Sequence, residues 1–130
     1  MSNTLKLHHS AHCITPGSLE NIIEMFELLD CKILYLQKEQ RWAMIGQNEN
    51  FLLQIQEMDN LPIQSKTRLQ SHIAFICDNP KEQIEKIENW ASSKNINFKK
   101  GSWSDREYWF DLPDMFIDFV VEIMHKSVTE

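Results

Sequence analysis

A strand, a helix and three further strands occur in that order twice along this chain, and that repeat limits the folds open to it more than any other feature. Leu5 to Thr15 reads as a strand that stops at Pro16 and Gly17, a pair that punctuates regular structure. Ser18 can cap a helix in which Leu19, Ile22, Ile23, Phe26 and Leu29 share one face while Glu20, Glu24 and Glu27 stay in water. Lys32 to Gln37, Arg41 to Ile45 and Phe51 to Glu57 then read as a meander, with polar loops at Lys38 to Gln40 and Gly46 to Asn50. Met58 to Gln70 is polar, contains Pro62 and lacks a period, so it reads as a connector. The second series runs from a strand at Ser71 to Asp78, through a helix opened by Asn79-Pro80 and carried by Ile84, Ile87, Trp90 and Ala91. Strands at Ile96 to Lys100, Glu107 to Phe110 and Met115 to Met124 close it.

The two series also match in residues. Laying His9 to Thr15 over His72 to Asp78 pairs His with His and Ala with Ala at an offset of 63, and laying Leu53-Gln54-Ile55 over Ile117-Asp118-Phe119 pairs polar residues flanked by apolar ones at an offset of 64. Near-equal offsets on unrelated strands favour an internal duplication. A chain of 130 residues has room for one domain, here spanning 1–130 with a first module at about 5–57, a connector at 58–70 and a second module at about 71–124.

Composition narrows the partners. The net charge of −6 opposes binding to nucleic acid or an anionic membrane. No apolar run reaches the ~18 residues of a membrane span and Met1 to Lys6 lacks the pattern of a signal peptide, so a cytoplasmic protein is expected. Cys13, Cys31 and Cys77 are too few and too scattered for a disulfide framework or a zinc motif, and they read as reduced thiols packed like small hydrophobes. The serines lack a glycine elbow and no Gly-rich loop could cradle a phosphate, which sets aside hydrolase and nucleotide-binding readings.

His9 before a strand, helix and meander, then His72-Ile73-Ala74-Phe75 and a closing Ile117-Asp118-Phe119-Val120, resembles the vicinal oxygen chelate superfamily, the group of glyoxalases and of fosfomycin- and bleomycin-resistance proteins. The resemblance covers roughly Leu5 to Met124. It implies an α+β fold of two βαβββ modules forming a curved mixed sheet with a cavity, helices on the outer face, usually in a homodimer. Two departures stand out. Before the last strand the chain reads Leu112-Pro113-Asp114-Met115, one residue shorter than the family's turn and without its Gly, and Gln54 stands where many members carry Glu.

His9 and His72 begin equivalent strands. On the closing strand the two-residue period puts Ile117, Phe119, Val121 and Ile123 on one face and Phe116, Asp118, Val120 and Glu122 on the other. Two imidazoles and a carboxylate suit Zn, Ni, Mn or Fe, and the resemblance makes His9, His72 and Asp118 the expected metal ligands, with Gln54 a further one. Glu122 is the candidate catalytic base or replacement carboxylate. His8 is the alternative to His9 if the register slips, and His12 reads as structural.

Trp42, Trp103, Tyr108 and Trp109 form an aromatic cluster suited to the wall of a substrate pocket. Parity allows only one of Tyr108 and Trp109 to face inward, and Tyr108 is placed with the pocket. Arg41 and Arg106, the cations beside it, could hold a carboxylate or phosphonate, the bland reading being solvated loop charges. The resemblance therefore implies a divalent-metal-dependent lyase, isomerase or transferase that chelates vicinal oxygens of a small molecule, and a homodimer is expected. The alternative is a metal-free binder of a small ligand or antibiotic, like the bleomycin-resistance proteins, with no cofactor and no chemistry.

Overall fold

The structure is a computed structural model describing residues 4–48 and 50–130, with residues 50–52 described in their backbone only. Met1 to Asn3 of the opening segment, and Glu49 of the expected loop, lie outside the described residues. The first module contains strand β1 (Ser10–Ile14), helix α1 (Leu19–Leu28) and strands β2 (Lys32–Gln37), β3 (Trp42–Gln47) and β4 (Asn50–Glu57). After a short helix α2 (Ser65–Arg68), the second contains β5 (His72–Cys77), α3 (Pro80–Ser93), β6 (Lys99–Ser104), β7 (Glu107–Asp111) and β8 (Val120–His125), followed by one 3₁₀ turn. The sheets have the orders β1-β4-β3-β2 and β5-β8-β7-β6, so each module is a βαβββ unit whose first strand runs parallel to its last.

Helix α1 forms where the apolar spacing places it, burying Leu19, Ile22, Ile23, Met25 and Phe26. Its first turn is satisfied differently from the expected Ser18 cap. The Ser18 hydroxyl donates to the Thr15 carbonyl, and the Leu19 amide is instead accepted by Glu57 Oε2 at 3.0 Å. Helix α3 opens on Pro80 as expected and buries Ile84, Ile87 and Ala91. The two helices meet where Glu24 accepts from Trp90 Nε1 at 2.7 Å and Lys94 Nζ at 2.9 Å. Ile45 and Ile55 of the first sheet and Phe110, Val121 and Ile123 of the second drain into one core with these helices.

Three expected strands change. The first begins at Ser10, leaving His9 ahead of it, the strand expected at Ile96 to Lys100 forms at Lys99–Ser104, and the last begins at Val120 rather than Met115. Residues 115–118 become a seam between the modules: Thr15 N donates to Met115 O at 2.9 Å, Ile117 N to Cys13 O at 3.1 Å, and Ile14 and Phe116 form an antiparallel bridge. The expected connector also contains an element, α2, whose Arg68 is buried against Asp111. Among the described residues no helix is long and apolar enough to cross a membrane.

Candidate functional site

One face of each sheet packs on the helices; the other is open. On the open face of the second module the register sets Ala74, Glu122, Trp109 and Gly101 in one row across β5, β8, β7 and β6. In the first module the same row reads Ala11, Gln54, Met44 and Tyr35. The duplication therefore pairs Gln54 with Glu122, and the expected pairing of Gln54 with Asp118 gives way.

His72 begins β5 on this face, and its Nε2 stands 3.3 Å from Glu122 Oε2, with the imidazole 36% and the carboxylate 6% exposed. His72 Nδ1 lies 3.1 Å from the Leu69 carbonyl. A carbonyl can only accept, so Nδ1 carries a proton, and Nε2 is the nitrogen turned toward the carboxylate. Burial pushes the Glu122 carboxyl above its usual range, opposed by His72 and reinforced by Glu107.

Aromatic rings surround the pair. The β6 ladder is interrupted by a bulge between Ser102 and Ser104, and Trp103 reaches from this edge strand to the opposite edge, its ring 5.1 Å from that of His72 at 46°. Trp109 lies over Gly101, where a Cβ would press into the indole well inside contact distance. Trp109 is thus the member of its pair that faces the site. Tyr108, expected there, is on the helix side, with its hydroxyl donating to Asp105 O at 2.9 Å and Lys81 Nζ 6.0 Å from its ring centre.

The other expected residues are placed as follows. Asp118 lies ahead of β8 in the seam, its carboxylate accepting from the Cys13 amide at 3.0 Å; the carboxylate beside His72 is Glu122. His9 Nδ1 lies 2.9 Å from His8 Nδ1, and Gln54 Nε2 donates to Gln56 Oε1 at 3.3 Å. Among the described residues no group of three His, Cys, Asp or Glu side chains comes together as a metal-ligand set within the chain. His12 packs edge-on against Phe119 at 5.4 Å, and burial lowers its pKa against the pull of Asp118.

Arg41, expected near the ligand, sits in the β2–β3 turn at φ 60°, where it clamps Glu20 through Nη1 at 2.6 Å and Glu57 through Nη2 at 2.6 Å. That clamp lowers the Glu20 carboxyl to about 2. Arg106 donates to the Ser127 hydroxyl at 3.2 Å. Neither serves the His72–Glu122 pair, because local carboxylates or hydroxyls hold both. Trp42 lies on the open face of the first module, 5.2 Å from Tyr35.

The sequence placed Tyr108 rather than Trp109 with the pocket and gave Gly101 no role. A glycine inside a strand pattern, signalling close approach of another group, was the clue available.

No protein-family model matches the chain, and no curated protein matches it in sequence. Solved structures do match in fold. A possible glyoxalase from Bacillus cereus superposes with a TM-score of 0.60 at 12% identity, covering 93% of this chain and 99% of that one. The fosfomycin resistance protein FosX from Mesorhizobium loti gives 0.59 at 15% identity, covering 99% and 97%. FosX from Listeria monocytogenes, solved with Mn(II) and sulfate, gives 0.55 at 15% identity, covering 96% and 91%. The chain has the glyoxalase-like fold of the vicinal oxygen chelate proteins.

Proposed function

We propose that the protein holds a divalent cation at His72 Nε2 and Glu122 and processes a small molecule there as a lyase, isomerase or transferase. The observation that carries this reading is the His72–Glu122 contact. An imidazole nitrogen and a carboxylate oxygen 3.3 Å apart, with the far imidazole nitrogen anchored on a carbonyl, are two ligand atoms that a divalent cation could share on displacing the proton of Nε2. The donor set fits a first-row metal, and the Mn(II) bound by the Listeria protein supports such use of the fold. When bound, the cation supplies Lewis acidity toward substrate oxygens. The chain's own part is to orient the imidazole through Leu69, to keep water off Glu122 and to present Trp103 and Trp109 to the ligand.

Two donors leave a metal under-coordinated, and His9, at the matching position of the first module, suits a third if a second copy supplies it. We therefore propose a symmetric homodimer in which the open face of one module meets that of the other copy. The edge strand β2 supports it, since Ile33, Leu34, Tyr35 and Leu36 are all 39–52% exposed. The cytoplasmic location expected from the sequence belongs to the same proposal.

Metal analysis of protein purified without affinity metal or chelator tests the reading, with about one ion per chain expected. Soaking with Zn²⁺, Mn²⁺, Ni²⁺ and Fe²⁺ without uptake would favour the metal-free binder. Light scattering near 100 μM tests the assembly, a monomer contradicting it.

A further inference from the structure

The segment ahead of β1 carries two apolar side chains that its own chain leaves uncovered. Leu5 and Leu7 are 96% and 93% exposed, and with His9 they recur at every second residue, the spacing of one face of an extended strand. A matching gap lies along β5. That strand is the edge of its sheet, with β8 on one side and, among the described residues, no strand on the other. Ile76, on the open face of β5, is 57% exposed. Behind the edge, a cavity of about 390 Å³ separates residues 73–76 from Cys31, Ile45 and Leu53 of the first module. A second cavity shares Gln47, Phe75 and Ile76 with it and is bordered by Asp30.

His9 and His72 fix how the segment would meet this edge. A cation held by His72 of one copy and by the partner's His9 brings together equivalent strands of a duplicated fold, so a local two-fold relates them. His9 has the parity of Ala11 and His72 that of Ala74, so both belong to the open face. The axis must then stand upright on the sheet, which makes the two strands antiparallel. With His9 opposite His72, Leu7 falls opposite Ala74 and Leu5 opposite Ile76, all on one face. The small Ala74 leaves room for Leu7, and Ile76 gains an apolar neighbour. Lys6 falls opposite Phe75 on the other face, where its stem would lie along the apolar cavity and its ammonium would reach the Asp30 border. Among the described residues neither Lys6 nor Asp30 has an ion pair. One register thus matches apolar groups with apolar groups and a cation with a carboxylate. A slip of one residue would bring Lys6 to the open face and turn both leucines away from Ile76.

We propose that residues 5–7 of one copy add as an antiparallel strand to the free edge of β5 in a second copy, with Leu5 covering Ile76 and Lys6 pairing with Asp30. This rests on the homodimer reading and adds to it the segment that locks the two copies together.

Cysteine pairing between full-length chains of different mass tests the register. Leu5→Cys, left to exchange subunits with a tagged Ile76→Cys chain and oxidised with oxidised glutathione, should give a disulfide of the mixed mass that maps to positions 5 and 76. Lys6→Cys with Ile76→Cys should give at least tenfold less, and each variant oxidised with wild type controls for Cys13, Cys31 and Cys77. Equal yields from the two pairs would overturn the register. A Leu5→Cys, Ile76→Cys double variant that closes within one chain would show the segment folding back on its own β5 and would overturn the exchange between copies.

Sedimentation of the same full-length protein tests the energetics, with circular dichroism to confirm folding. Leu5→Asp and Lys6→Glu should each weaken self-association at least tenfold. Adding Asp30→Lys to Lys6→Glu should recover most of that loss, and Leu61→Asp, 90% exposed on the connector, should change nothing. Wild-type association in Leu5→Asp, or no recovery in the charge-reversed pair, would overturn the proposal and leave the homodimer standing. A wild-type monomer would overturn both.

Discussion

Arg68 and Asp111 close on each other through a two-pronged ion pair in which each side chain is only 3% exposed. Arg68 also donates to the Ile63 carbonyl, so a single guanidinium pins the segment between the modules to the end of β7. The strand it pins contributes Trp109 to the open face, which links the packing of the connector to the shape of the site.

Removing one partner of this pair strands the other as an unmatched buried charge. Arg68→Ala is expected to lower stability by about 3–5 kcal/mol in urea unfolding. The double replacement Arg68→Met with Asp111→Leu should cost less than either single truncation, because it leaves no orphan. A loss under about 1 kcal/mol for Arg68→Ala would place the pair in the weak class typical of surface ion pairs.

Acid should act through Glu57. Burial pushes its carboxyl up, but Arg41 and the backbone amides of Gly17 and Leu19 more than offset this and hold it below the usual range. The folded-state value being depressed, its contribution is complete above the unfolded value of about 4.3 and is lost as pH falls through the folded one. The stability gap between wild type and Glu57→Gln should therefore be largest near neutrality and shrink as pH drops below about 4. A gap constant with pH would show that the carboxylate's charge is immaterial there.

The two acidic residues of the closing segment should separate cleanly. Glu122→Gln and His72→Ala are expected to weaken Mn²⁺ or Zn²⁺ binding by tenfold or more with little loss of fold by circular dichroism. Asp118→Ala should leave metal affinity alone and cost about 1.5–3 kcal/mol through its bond to the Cys13 amide. His12→Ala should likewise spare the metal.

Gly101→Ala should disturb the site from below. The new methyl would meet the Trp109 ring well inside contact distance, so the indole must shift. A cost of about 1–3 kcal/mol and a changed tryptophan emission are expected. An unaltered spectrum would mean that Trp109 does not lie on that backbone.

Much of the architecture was legible because it is written in periods. The helix faces of α1 and α3, the meander of the first module and the duplication all follow from apolar spacing. The closing carboxylate was not. Ile117-Asp118-Phe119 and Val121-Glu122-Ile123 carry the same alternation, and nothing local separates them. Their roles are decided by partners distant in sequence, since β5 pairs Ala74 with Glu122 while β1 draws Asp118 into the seam. Arg68 was hidden for a similar reason, as one buried cation in a polar stretch creates no pattern. Arg41 was misplaced because its carboxylates come from α1 and β4, which adjacency to Trp42 does not reveal.

The bulge in β6 bears on how this chain could diverge. Strand side chains alternate sides with each residue, so Trp103 shares the face of Gly101, and the irregularity between Ser102 and Ser104 falls at this ring. Deleting Ser102 would set Trp103 opposite Tyr108, on the helix side of the sheet, and uncover the imidazole while Trp109 stays over Gly101. The loss of one codon thus reaches the same uncovered site as truncation of the indole.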